Sequence, residues 1–375
     1  MLTIASDQDI QDMARGAVFL GSGGGGDPYV GELYLRQQLA EGRKAMVVRA
    51  SELADDAFVI SIAGVGAPTV LVEHLVSTNT LMRLLEASQK FYGRRVDALI
   101  SAEIGGANSM FPLALGARSG LPVVDGDGMG RAFPHLEMTT FSVYGARCCP
   151  SLLMDDSGNV VQVDTVTDRI AEDVVRSICA SLGSMIYGSF YPMSGRQVKE
   201  IAVHDTISHT LEIGRRIRRA RESQTDPIRD LLDFLDAPGE ERHARELFNG
   251  RIVDVRHETR DGWHWGQALI NSGRGDEPEF SIEIQNEYLV AREHGRTVTV
   301  VPDLIAVLDA ESAEPLTAEM LSYGQRVSVI GYSAAPIMRR AESLAVFGPR
   351  MFGIDEDFRG VEVLVPAGAG RRAPL

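Results

Sequence analysis

The chain has 375 residues, enough for two or three packed units, and its 44% apolar and 24% charged residues are those of an ordinary globular protein. A formal net charge of −15 argues against nucleic acid or an anionic membrane as the main partner. No apolar run spans a bilayer, MLTIASDQDI lacks the regions of an export signal, and Cys148, Cys149 and Cys179 show no ligand spacing, which together predict a cytoplasmic protein with reduced thiols.

Residues 7–18 predict a short amphipathic helix capped by Ser6. The stretch Leu20-Gly21-Ser22-Gly23-Gly24-Gly25-Gly26-Asp27-Pro28 follows, and then a helical pattern over YVGELYLRQQLAEGR. Asp27 is a good N-cap and Pro28 a good first helical residue, because its missing N–H has no partner there anyway. A bare glycine loop at the positive end of a helix suits an anion or a developing negative charge. KAMVVRA and AFVISIAGVGAP predict strands, 69–76 and 80–92 helices, DALISAEIGGANS a strand running into a glycine turn, and LPVVDGDGMG a strand ending in an acid-glycine loop.

This alternation predicts an α/β domain with a mainly parallel sheet over 1–166. Residues 167–247 are predicted to be a helical segment packing on it, with a basic cluster from Arg215 to Arg221 reading as a solvated helix face. Beyond Asn249-Gly250, short alternating runs predict a β-rich, barrel-like or sandwich domain over 248–375, its last residues a loose tail. Within it, Trp263 and Trp265 are expected to pack into the core. Asn286, Glu287 and Asp303 are expected to order turns, the alternative being a cleft between domains.

Two nucleotide patterns bear on the glycine run. A P-loop needs Lys and Ser/Thr where Asp27 and Pro28 stand, and a carboxylate there repels a triphosphate. Gly21, Gly23 and Gly26 formally meet the dinucleotide pattern, which keeps an NAD-dependent enzyme as an alternative.

Ligands of parallel α/β sheets gather beyond the strand C-termini. Three polar glycine loops stand there: Gly23, Gly24, Gly25, Gly26 and Asp27; Glu103 to Asn108; and Asp125 to His135. Their convergence would face backbone donors toward Glu103, Asp125, Asp127 and Arg131. Simpler roles exist for each: Glu103 as a helix cap or partner of Arg131, Asp125 and Asp127 as turn formers, Arg131 as a structural fork, His135 at a helix start. No EF-hand, H-E-x-x-H or G-x-S-x-G pattern is present, so neither a metal nor a cofactor is fixed.

The motifs LGSGGGGDP, SAEIGGAN, VVDGDGMGRAFP, IQNEYLVA and VPDLIAVLD together resemble the S-methyl thiohydantoin desulfurase family, from about Asp7 to Val365. The resemblance implies an α/β domain followed by a β-barrel-like one, and hydrolytic removal of sulfur from an S-methylated thiohydantoin or a related five-membered cyclic amide or amidine. Such chemistry needs a base, assigned first to Asp127 or Asp125 and then to Glu103. It also needs a group polarising the ring or supplying a proton, Arg131 or His135. Gly23–Gly26 would hold a carboxylate tail or ring oxygen, and Asn108 the ring amide. A small-molecule substrate is the expected partner, with homo-oligomerisation compatible with the size; a non-catalytic module binding a small anionic metabolite is the second class of function.

Overall fold

A computed structural model describes residues 2–66, 78–260, 263–273 and 277–367. The helix expected at 69–76 and most of the tail lie outside them. The chain forms two compact units: Met1–Ala17 with Gly25–Leu211, and Val18–Gly24 with Glu212–Leu375. The division therefore falls inside the glycine run.

In the first unit β1 (Leu2–Ile4) precedes α1 (Asp7–Gly21), which crosses into the second unit, and α2 (Tyr29–Ala40) follows the glycines. Ser6 caps α1 as expected, its Oγ accepting the Asp9 N–H at 3.1 Å while Asp9 accepts the Ser6 N–H at 3.2 Å. There follow β2 (Ala45–Arg49), β3 (Phe58–Gly66), α3 (Thr78–Tyr92), β4 (Ala98–Ile100), α4 (Met110–Ser119), β5 (Val123–Asp127) and a helical turn α5 (Thr140–Val143). Next come β6 (Ser151–Met154), β7 (Val160–Val163), α6 (Asp168–Ser181), β8 (Met185–Ser194), α7 (Gly195–Ile201), β9 (Val203–His204) and α8 (Thr206–Glu222).

The sheet runs β1-β2-β5-β4-β3-β8-β6-β7, with β9 paired to β5 off this path. Neighbours from β2 through β5 and β4 to β3 are parallel, and all other pairs are antiparallel. The sheet is thus mixed rather than mainly parallel. Its antiparallel half is built on β8, which lies within the stretch expected to be helical. Its first seven residues are all buried, so the strand lacks the alternation that would have marked it. Val59, Ile100, Val124, Phe141, Ile186 and Phe190 join the core over the sheet, where all three cysteines are also buried.

The second unit continues from α8 through α9 (Pro227–Leu235) into β10 (Ala244–Arg260), β11 (Trp263–Asn271), β12 (Phe280–Gln285), β13 (Glu287–Glu293) and β14 (Arg296–Val300). After these come β15 (Leu304–Asp309), β16 (Pro315–Leu316), β17 (Arg326–Tyr332) and the short helices α10 (Ala341–Phe347) and α11 (Val361–Leu364). The antiparallel order β14-β13-β12-β11-β10-β17-β15-β16 is open. No ladder joins its two edges among the described residues, so the expected barrel is not closed. Phe248 stacks on Phe280 at 4.9 Å within the core. Trp265 is 38% exposed rather than packed inside.

Asp303 is wholly buried and saturated: Arg339 Nη2 approaches it at 2.6 Å, and the Ala334 and Val361 N–H groups donate at 2.9 and 2.8 Å. Arg339 also reaches Glu362 at 2.9 Å. Removing one partner of such a pair strands the other charge, so Arg339→Ala is expected to cost ~3–5 kcal/mol. A urea midpoint unchanged from wild type would show that the pair contributes nothing.

Candidate active site

β5 ends in Asp125-Gly126-Asp127, and the alternation of a strand directs both carboxyl groups to one side. The side they face holds the N-terminus of α8. Asp125 Oδ1 accepts the Ile207 and Ser208 N–H groups at 2.9 and 3.0 Å, capping that helix. Asp127, 0% exposed, is held differently. Its Oδ2 accepts three amides: Ile104 at 2.9 Å, Met129 at 2.9 Å and Gly130 at 2.8 Å. The Thr206 hydroxyl lies beside the same carboxyl.

These bonds join two loops, and a third is joined through glycine. The Ala107 N–H donates to the Gly25 carbonyl at 3.0 Å, and a Cβ on Gly25 would lie 2.6 Å from the Gly105 carbonyl oxygen. Gly25 and Gly26 thus lie against the turn after β4, whose Ile104 amide reaches Asp127. The Gly25 and Gly26 amides donate to no backbone acceptor among the described residues. α2 starts at Tyr29 with Pro28 rather than Asp27 in the N-cap place, one residue later than the sequence predicts; Asp27 Oδ1 still accepts the Tyr29 N–H at 2.9 Å from the residue before the cap. Gly23 and Gly24 belong to the second unit, where a Cβ on either would strike the Tyr288 ring or the Glu287 side chain.

Glu103 is 7% exposed and accepts the Asn108 side-chain amide at 2.8 Å. Asn108 Oδ1 in turn accepts the Gly64 N–H at 2.8 Å, at the end of β3. Asn108 therefore ties the acid to the neighbouring strand. Arg131 is buried, lies over the Phe133 ring at 4.9 Å and donates Nε–H to the Ala132 carbonyl at 3.1 Å. His135 is held elsewhere, its Nδ1 3.3 Å from Glu172 on α6.

Burial dominates the electrostatics. It pushes Asp127 up to about 7 from 3.8, although its three amide bonds and Thr206 pull the other way. Burial also raises Asp125, against the same kind of amide donation. Between pH ~4 and ~7 the unfolded chain has released an Asp127 proton that the folded chain keeps. The group's contribution to stability therefore falls as pH rises through that window and is flat above it. The gap in stability between Asp127→Asn and wild type is expected to move in the variant's favour by a few kcal/mol across this window. Urea unfolding of both proteins from acid to neutral pH checks this; parallel curves would contradict it.

Of the described residues, His135, Glu137 and Glu172 could offer ligand atoms within 4.8 Å of one another. Arg176 already pairs with Glu172 and Arg169 with Glu137 at 3.1 Å, so cationic charge is in place there. The glycine run follows helix α1 rather than a strand, which removes the context a dinucleotide fingerprint requires. No sequence pattern points to Thr206, which lies far along the chain from Asp127 with no motif of its own.

A parallel core whose strand C-termini carry buried acids and glycine turns is the arrangement of an α/β ligand-binding or enzyme domain. The whole fold is similar to the X-ray crystal structure of a protein from Chromobacterium violaceum, with a TM-score of 0.79 and 22% identity over 96% of this chain and all of that one. No curated protein matches the chain. The N-terminal S-Me-THD-like domain matches residues 8–165 and the C-terminal S-Me-THD-like domain residues 166–361. The chain belongs to the S-Me-THD-like family, that of the S-methyl thiohydantoin desulfurases. The family border falls just before α6, whereas the compact units divide within α8. No helix among the described residues is long and apolar enough to cross a membrane.

Proposed function

We propose that the protein is a hydrolase of a five-membered cyclic amidine, converting an S-methyl thiohydantoin and water to a hydantoin and methanethiol. The observation that carries this is the placement of Asp127 at the end of a parallel strand, poised near neutrality by burial. A group with such a value serves as a base at neutral pH without being a poor proton donor afterwards.

Water attacks the ring carbon between the two nitrogens while Asp127 takes its proton. The carbon–sulfur bond then breaks, the same proton leaves with the methanethiolate as methanethiol, and the proton of the new ring hydroxyl passes to the ring nitrogen to give the hydantoin. Oδ2 is occupied by three amides, so Oδ1 is the oxygen left for this transfer. The Gly25 and Gly26 amides can receive charge on the ring oxygen or a carboxylate tail. Glu103, fixed by Asn108, can accept a ring N–H. Asp125 holds α8 in place, and Arg131 supplies positive charge from the following turn. Asp127 is fully enclosed, so substrate entry requires the turn after β5 to move.

That enclosure also favours a second role, in which Asp127 only organises loops around a small-anion site without catalysis. Incubation with an S-methyl thiohydantoin separates the two: methanethiol release and loss of ring absorbance support the hydrolase. Binding without turnover across a panel of ring compounds would support the anion-binding module instead.

A further inference from the structure

The hairpin of β10 and β11 carries two histidines outside the site described. His264 pairs in register with Thr259, and His257 with Gly266, so the two are diagonal neighbours on adjacent strands. His257 Nδ1 and His264 Nε2 lie 3.0 Å apart, with ring centroids at 4.9 Å and planes inclined by 44°. The His264 backbone is fixed from the next strand connection: Asn286 Oδ1 accepts its N–H at 2.8 Å, and the Asn286 N–H donates to its carbonyl at 2.7 Å. Burial disfavours positive charge on the His264 ring, against the negative charge of Glu319, which favours it.

We propose that His257 and His264 chelate a late first-row divalent cation, Cu2+ in preference to Ni2+ or Zn2+. Imidazole nitrogens bind such ions at about 2.0–2.1 Å. Two nitrogens this close, 3.0 Å, can both reach one ion at that bond length. Of the divalent first-row ions, nitrogen sites bind Cu2+ most tightly, above both Ni2+ and Zn2+. Binding needs no net proton release. The ring that donates across the 3.0 Å contact moves its proton to its outer nitrogen, which frees a lone pair for the ion. Water completes the coordination, since His257 is exposed. The His135–Glu137–Glu172 group differs in having guanidinium groups on its acids.

The test is calorimetric titration of the full chain with CuCl2, NiCl2 and ZnCl2, with electron paramagnetic resonance of the copper-loaded protein. One strong copper site with hyperfine coupling to two imidazole nitrogens is expected. His257→Gln and His264→Gln should each weaken it at least as much as loss of an outer-shell partner does, roughly 10–100-fold. His257 is exposed, so His257→Gln keeps the fold and decides the matter should His264→Gln misfold. Absence of a strong site in wild type, or unchanged binding in His257→Gln, overturns the proposal.

Discussion

Asp127→Asn is expected to lower kcat for methanethiol release by ~10²–10⁴-fold, the usual consequence of losing a general base. The substitution discriminates well because asparagine preserves the architecture. Its carbonyl oxygen can still accept the Ile104, Met129 and Gly130 amides, and its NH2 can face the Thr206 hydroxyl. Only the ability to take a proton is lost. Asp125→Asn provides the contrast: asparagine is as good a helix cap as aspartate, so the Ile207 and Ser208 bonds survive and turnover should stay near wild type. Turnover of Asp127→Asn within about threefold of wild type would confine Asp127 to organising the loops.

Gly106→Ala should produce a large loss of stability in the first unit. A Cβ there would lie 2.1 Å from the Gly25 carbonyl oxygen, 2.3 Å from its carbon and 2.6 Å from the Gly26 oxygen. All three are backbone atoms, so no side chain can swing aside. The residue also has φ +62°, which a side chain disfavours. Overpacking and left-handed strain together are expected to cost about 3 kcal/mol or more. Gly120→Ala isolates the second contribution, because Gly120 has φ +79° with nothing within 4 Å, and should cost only about 1 kcal/mol. Urea unfolding of the two variants measures the gap. Equal midpoints would mean that the two glycine turns are not locked together.

Much of this was legible in the residues, for local reasons. Ser6 announces a helix start because a short polar side chain before an apolar period has few other uses, and Asp27 announces one a residue early, because Pro28 takes the N-cap place. The three loops could be nominated because strand ends followed by Gly and acids have a known place in parallel sheets. What failed was non-local. β8 is buried on both faces and so lacks alternation, which hid both the strand and the mixed character of the sheet. Glycine patterns do not tell whether a ligand or another stretch of backbone comes close; at Gly25 and Gly106 it is backbone. His135 shares a loop with Asp127 in sequence, yet its side chain is held by Glu172. The capping of α8 by Asp125 depends on a helix that begins far later in the chain, and no spacing rule reaches it.

The pH dependence of kcat/KM for an S-methyl thiohydantoin probes the free enzyme's base most directly. Wild type should gain activity as pH rises through an apparent value of about 7, where burial places the Asp127 carboxyl, and Asp127→Asn should lose that limb. A flat profile from about pH 5 to about pH 9, or the same limb in the variant, would contradict Asp127 as the proton acceptor.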